Sequence, residues 1–281
     1  MALYGAIEAG GTKFVLAVGE DPAQPREVVR IPTSNNPSET LGEVIRYFTR
    51  QRGLAGLGVA SFGPLDFKDG TITNTPKLAW QGFPLRDTLQ KALGLAVALE
   101  TDVNAAALGE ARCGAGRGVE DLVYITVGTG IGGGVLSGGK LVHGRMHSEI
   151  GHLLVGRAPD EDEQFEGVCP FHGDCLEGLA SGPAMEQRWG EPADGLPEGH
   201  LAWLLEAEYL GRACVNLACV LSPRMIVLGG GVMTQGHLLP LIRRRVSELA
   251  NGYLPLPDIV APGCEYPALS GALALAMEAA A

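Results

Sequence analysis

Three segments place glycine beside a small hydroxyl, or beside further glycines, directly after an apolar run: Gly10-Gly11-Thr12-Lys13, Gly128-Thr129-Gly130 and Gly229-Gly230-Gly231. Without a Cβ the backbone can approach an anion closely and turn successive amides toward it, and a threonine hydroxyl adds a donor. That is the chemistry of a phosphate cradle. None of the three is a Walker loop, because the Gly-x4-Gly-Lys-Ser/Thr spacing is missing. Residues 128–133 carry glycine at the first, third and sixth positions of a dinucleotide fingerprint, but they lead from one strand pattern into another rather than into a helix. A single such turn is usually a plain hairpin. Three of them, each after an apolar strand pattern, point to phosphate binding.

A carboxylate stands where such a site needs one. Glu100-Thr101-Asp102-Val103-Asn104 closes a strand pattern and opens a helix pattern. Asp102 there reads either as an N-cap or as a general base at the carboxyl end of a sheet strand, where open α/β sheets hold their ligands. A second constellation lies downstream. Cys169-x2-His172-x2-Cys175 offers three nitrogen or sulfur ligands in one tight loop. His152 supplies the fourth for a tetrahedral zinc, with Glu149 one helical turn before it. Soft ligands at this spacing in a turn-rich segment have no packing role.

The elements that position these groups alternate. Apolar runs over 3–7 and 14–18 flank the first glycine turn, with a further strand over 28–31. A helix capped by Ser38 follows, then strands over 57–61 and 96–99 and an alanine-rich helix over 103–113. The pattern restarts with a strand over 122–127, the second glycine turn and a strand over 134–136. Long helices are expected over 202–221 and 238–249 around a strand at 225–228, with a last helix over 269–281. A strand, a glycine turn and a second strand thus occur near residue 11 and again near residue 129, which predicts two related units. The acidic stretch 157–168 reads as a solvated loop. Cys113, Cys214, Cys219 and Cys264 read as core residues, and His143, His147, His200 and His237 as surface or satisfied histidines.

The whole composition sets limits. The 281 residues carry 32 acidic and 21 basic side chains, a net charge of −11 that repels phosphate backbones and argues against a nucleic-acid partner. An anionic substrate must be held locally, by amides, a few cations and a divalent metal. No apolar run approaches the roughly 20 residues needed to span a bilayer. The scattered cysteines and the absence of a leader pattern predict a cytoplasmic protein without a disulfide framework.

Assembled, these residues resemble the ROK family of actin-like sugar kinases and sugar-responsive repressors, essentially end to end. Residues 8–13 match its first phosphate motif and Asp102 its catalytic base. Residues 128–133 match the second phosphate motif, Glu149-x2-His152 the sugar and metal motif, and residues 229–231 the adenosine motif. Glu177 matches a further sugar-contacting glutamate. Glu8 stands where most members have Asp, and Thr101 where most have Asn. With Ser61-Phe62-Gly63-Pro64-Leu65-Asp66, Thr75-Pro76-Lys77, Trp80 and the 169–175 loop, these departures resemble the zinc-containing fructokinases.

The resemblance implies an α/β fold of two actin-like (ribonuclease H-like) lobes with a cleft between them. One lobe would span 1–117 with helix 269–281 packed back on it, the other 118–268 with the zinc loop. It implies phosphorylation of D-fructose by ATP with Mg²⁺. Asp102 would be the base, Gly63, Pro64, Thr101, Asp102, Glu149, His152 and Glu177 would contact sugar, and the three glycine segments would hold ATP. His152, Cys169, His172 and Cys175 would hold a structural Zn²⁺. A homodimer is expected from the resemblance and from apolar positions in the second half. Kinases for glucose, mannose or an N-acetylhexosamine are the enzymatic alternatives. A sugar-sensing repressor would need a helix-turn-helix ahead of the first phosphate motif, which begins at residue 8.

Overall fold

The apolar runs on either side of the first glycine turn pair antiparallel, as β1 (Leu3–Ala9) and β2 (Lys13–Gly19), with β3 (Arg26–Pro32) beyond. This computed structural model describes residues 2–75 and 77–280, so Pro76 of the Thr75-Pro76-Lys77 segment and the two terminal residues lie outside the described residues. Two units emerge: Met1–Gly118 with Leu141–Ser148 and Gly263–Ala281, and Val119–Lys140 with Glu149–Pro262. Residues 141–148 and 263–268, expected in the second lobe, group with the first unit.

In the first unit, α1 (Pro37–Thr49) leads to β4 (Leu54–Ser61), which pairs parallel with β1. A two-strand ribbon, β5 (Leu65–Asp66) and β6 (Thr71–Ile72), and α2 (Leu85–Leu93) precede β7 (Val97–Thr101) and α3 (Asp102–Cys113). The sheet order is β3-β2-β1-β4-β7. The cap of α1 is Asn36, whose side chain accepts from Ser38 N, with Pro37 at the first helical position; Ser38, the expected cap, is already helical. Proline needs no amide partner there, so the helix starts two residues earlier than a Ser38 cap predicts. α2 escaped the sequence reading, although Leu85, Leu89 and Leu93 stand one turn apart. Trp80 is fully buried, packed against Phe14, Phe62 and Phe83 and donating Nε1–H to Ser34 O at 3.0 Å. This fructokinase-like residue therefore acts through the core.

The second unit repeats the plan. β8 (Leu122–Val127) and β9 (Ile131–Ser137) form an antiparallel hairpin, flanked by the short β10 (Lys140–Leu141). Then come α4 (Leu176–Ala180), α5 (Gly182–Trp189), α6 (Ala202–Leu221), β11 (Met225–Gly229), α7 (Leu238–Ala250) and β12 (Asp258–Val260). The order β10-β9-β8-β11-β12, with β8–β11 and β11–β12 parallel, reproduces that of the first unit. The predicted echo is a topological repeat. The last helix, α8 (Pro267–Ala280), belongs to the first unit. No described helix is long and apolar enough to cross a membrane.

The acidic stretch is not simply solvated. Glu161 is buried and takes a bidentate bond from Arg188, at 2.9 Å to each oxygen, and a third from Tyr209 Oη at 2.7 Å. Arg188 also donates to Leu179 O and lies over the Phe165 ring at 4.1 Å. A buried ion pair is tolerated only when its remaining donors and acceptors are satisfied, and here they are. Sequence alone cannot distinguish one paired glutamate among several solvated ones. The cysteine reading also needs correction. Cys214 is fully buried, but Cys219 is exposed, and Cys113 and Cys264 are half-buried.

Candidate functional site

In the first unit the β1–β2 turn is pinned from two sides. Gly10 N donates to Lys13 O at 2.9 Å, and Thr33 returns Oγ1–H to Gly10 O and N–H to Thr12 O. Gly11 is half-buried, and Thr12 and Lys13 stay exposed at the tip. Burial pushes the Glu8 carboxyl up, while Lys13 and Arg30 pull it down. Burial prevails, so the strand carrying the turn holds an acid raised above its ordinary range and only partly offset by the motif's own lysine.

At the β7–α3 junction the capping reading of Asp102 does not hold. Thr101 is the N-cap: its Oγ1 accepts from Asn104 N at 3.2 Å. Asp102 is the first helical residue, half-buried, with Oδ1 accepting from Val103 N at 2.9 Å. The capping role falls to Thr101, a position for which the family resemblance implied a sugar contact. Glu100 was given no role from sequence, yet it braces this junction. Its Oε1 accepts from Thr101 N at 2.8 Å and from Asn104 Nδ2 at 3.0 Å, and its Oε2 lies 2.6 Å from His143 Nε2. Glu100 is buried and His143 half-exposed, so His143 is not an ordinary surface histidine.

Beside this network lies a cavity of about 560 Å³, lined by Pro64, Phe67, Thr73, Glu100, His143 and Arg145 among others. Gly63 and Pro64 sit at its edge, joined by a cis peptide bond; Pro64 O accepts from Thr73 N and Oγ1, and Leu65 N donates to His147 Nε2 at 3.3 Å. Glu100, His143 and His147 were missed because the signal is tertiary, with 43 residues separating the first pair and 82 the second.

In the second unit the Gly128–Gly130 turn closes with Gly128 N on Gly130 O, and Gly128 O accepts from Gly182 N at the start of α5. Glu177 reaches the same turn: Oε2 accepts from Ile131 N at 2.9 Å. Gly230 has φ of +96°, and an added Cβ would strike the Val127 backbone, so glycine is required there on both counts. The third glycine segment therefore lies against the end of β8, next to the second.

His152, Cys169, His172 and Cys175 converge in this unit, with ligand atoms all within 4.8 Å of one another. Cys169 Sγ is 3.7 Å from both His152 Nδ1 and His172 Nδ1, and Cys175 Sγ is 3.5 Å from His152 Nδ1. Zinc bound tetrahedrally at about 2.3 Å to sulfur and about 2.0 Å to nitrogen holds such ligands about 3.5 Å apart. The donor set fits that ion. The loop is closed by paired backbone bonds between Cys169 and Gly173, and Leu176 N donates to Leu153 O, knitting the two ligand-bearing segments. Burial pushes the Cys175 thiol up to about 11. Glu149 and His152 flank a short 3-10 turn (Ile150–His152) rather than sharing the face of an α-helix, with His152 N donating to Glu149 O at 3.0 Å.

The repeated five-strand sheets, each carrying a glycine turn between its antiparallel strands, define a protein of the two-lobe actin-like α/β class. The model of the ROK family matches residues 4–279, and the chain belongs to that family. It is 43% identical to a fructokinase of Zymomonas mobilis over 99% of this chain and 97% of that one. Among solved structures it resembles a ROK hexokinase from Thermus thermophilus, with a TM-score of 0.80, 31% identity and 98% of both chains covered. It also resembles a ROK glucokinase from Streptomyces griseus in complex with glucose and AMPPNP, with a TM-score of 0.80, 27% identity and coverage of 99% and 100%.

Proposed function

We propose that the protein is a fructokinase, catalysing ATP + D-fructose → ADP + fructose 6-phosphate with release of a proton. The observation that carries this reading is the β7–α3 junction, where Thr101 performs the cap and Asp102, which accepts from Val103 N, stands at the carboxyl end of a parallel strand. Asp102 orients the sugar hydroxyl and accepts its proton as the bond to phosphorus forms. MgATP enters as the substrate, its phosphates held by the backbone of residues 10–13 and 128–130 and its nucleoside end by residues 229–231. Gly63, Pro64, Thr101, Glu149, His152 and Glu177 hold the sugar, with Glu100 and His143 fixing the strand end on which Asp102 stands. The full-length likeness to a fructokinase supports fructose as acceptor.

His152, Cys169, His172 and Cys175 would hold a zinc ion, which would supply structural cross-linking. These four residues would then tie together the segment that carries Glu149 and the turn that leads into Glu177.

A coupled ADP-release assay across a panel of hexoses tests the acceptor. Fructose is expected to exceed glucose in kcat/KM by about tenfold or more, since a site built to pair one sugar's hydroxyls leaves polar groups unpaired with the other. Glucose winning by that margin would return the chain to the glucose-specific members.

We further propose a homodimer formed through the second unit. Of the eleven exposed large apolar side chains among the described residues, eight lie there, including Phe171, Leu201, Leu204 and Val220. Apolar surface of this kind is costly unless a partner covers it. Sedimentation at micromolar concentration is expected to give twice the 29.3 kDa chain mass, and a single species at that mass would exclude the dimer.

A further inference from the structure

We propose that Cys113 and Cys264 form an oxidisable dithiol, a modification site at which a small-molecule disulfide is reduced and an intrachain Cys113–Cys264 bond is made. Their sulfurs lie 3.5 Å apart although 151 residues separate them in sequence. Both belong to the first unit, where Cys113 ends α3 and Cys264 lies in the segment entering α8.

The pairing is built by the backbone around it. α3 and α8 cross nearly in contact, because Gly109 and Gly271 have no Cβ where Pro267 O and Ala105 O come in. The buried Glu110 carboxylate then anchors the chain beside both cysteines. Its Oε2 accepts from Ala115 N at 2.7 Å and Gly263 N at 2.9 Å, and its Oε1 accepts from Cys264 N at 3.0 Å. Both thiols approach one acceptor, Gly109 O, at 3.2 and 3.6 Å, so they lie on the same side of the helix end.

The pair is also reachable. Both residues are half-buried and line an open cavity of about 180 Å³ together with Gln24, Tyr266 and Ser270. Cys214, by contrast, is fully buried and closed to reagents. A disulfide needs its sulfurs about 2.05 Å apart, so side-chain rotation must close the present gap by about 1.5 Å. The two thiols differ in reactivity. Hydrogen bonds, first from Cys264 and then from Ser270, hold the Cys113 thiol down to about 7 against burial and the nearby Glu110 and Asp21 charges. The same contact, together with burial, pushes Cys264 well up. Cys113 is therefore the attacking thiolate and Cys264 the resolving thiol.

The chemistry balances with a disulfide RSSR as oxidant. The Cys113 thiolate attacks one sulfur, forming Cys113–S–SR and expelling RS⁻. The Cys264 thiol then loses its proton to that thiolate and attacks the Cys113 sulfur, breaking the mixed disulfide and releasing a second RS⁻. One protein thiolate and one thiol become a disulfide, and RSSR becomes RSH and RS⁻.

The test incubates the reduced full-length protein with glutathione disulfide, alkylates remaining thiols and maps peptides without reduction. A peptide joining residues 113 and 264, lost on treatment with dithiothreitol, is expected in the wild type. In C264S the reaction should stop one step earlier, with glutathione retained on Cys113. Two outcomes overturn the proposal. One is wild-type protein modified only at the exposed Cys219 or cross-linked only between Cys169 and Cys175. The other is a C264S protein whose Cys113 stays unmodified while Cys219 reacts. The wild-type map does not depend on how any variant folds.

Discussion

Replacing Asp102 by Asn is expected to lower kcat by about two orders of magnitude or more, with the unfolding midpoint nearly unchanged. Asn has the size of Asp and its carboxamide oxygen can still accept from Val103 N, the bond that Asp102 Oδ1 makes at 2.9 Å. It cannot take a proton. The separation between activity and stability follows from the local structure, because the cap of α3 is Thr101 and the substitution leaves that bond in place. Removing a cap would itself cost about 1 kcal/mol, so Thr101→Ala serves as the converse variant, expected to lower the unfolding midpoint. Steady-state kinetics and thermal unfolding of both proteins check this. If Asp102→Asn keeps kcat within a few-fold of the wild type, the base lies elsewhere and the carboxylate only positions the helix start.

The second large effect is expected at the Cys/His quartet. Purified protein should contain close to one zinc per chain by elemental analysis. Chelation, or Cys169→Ser, should raise the sugar KM by about tenfold or more, roughly 1.4 kcal/mol of lost binding. The KM for ATP should change less. The asymmetry has a structural basis. His152 closes the 3-10 turn that begins after Glu149, and Cys175 stands immediately before α4, whose second residue is Glu177. Loosening the ligands therefore frees the segments carrying two proposed sugar-binding carboxylates, while the Gly10–Lys13 turn lies in the other unit. Because Glu177 also accepts from Ile131 N beside the second glycine turn, a modest loss in ATP affinity should accompany the effect. A protein that contains no zinc, or that keeps its sugar KM after chelation, would reduce the 169–175 segment to an ordinary loop.

How much of this was legible beforehand differs between elements. The glycine segments, the carboxylate proposed as base at residue 102 and the Cys-x2-His-x2-Cys spacing were readable because each depends on local chemistry. So was the repeated plan of the sheet, since the same strand–turn–strand pattern occurs twice. The short α4 and α5 were not, because Gly178, Gly182 and Pro183 give that stretch the composition of a turn. The α3 junction was read correctly as a helix start, with Asp102 left open between cap and base. Thr101 and Asp102 are both good capping residues, and only the backbone angles at Thr101, φ −68° and ψ 153°, assign the role.

The sequence by itself determined that three glycine turns after apolar strands, carboxylates at a strand end and a soft-ligand quartet occur in one acidic chain. Tertiary structure decided which histidine meets which carboxylate. Glu100 finds His143 across 43 residues, Glu161 finds Arg188 and Tyr209, and Cys113 finds Cys264 where α3 and α8 cross. The physical reason is the range of the interactions. Turns, caps and metal loops are set by dihedral preferences and by ligands a few residues apart. A buried carboxylate is satisfied by whichever donor the packing of helices on a sheet brings within about 3 Å, and residue type alone does not encode that meeting.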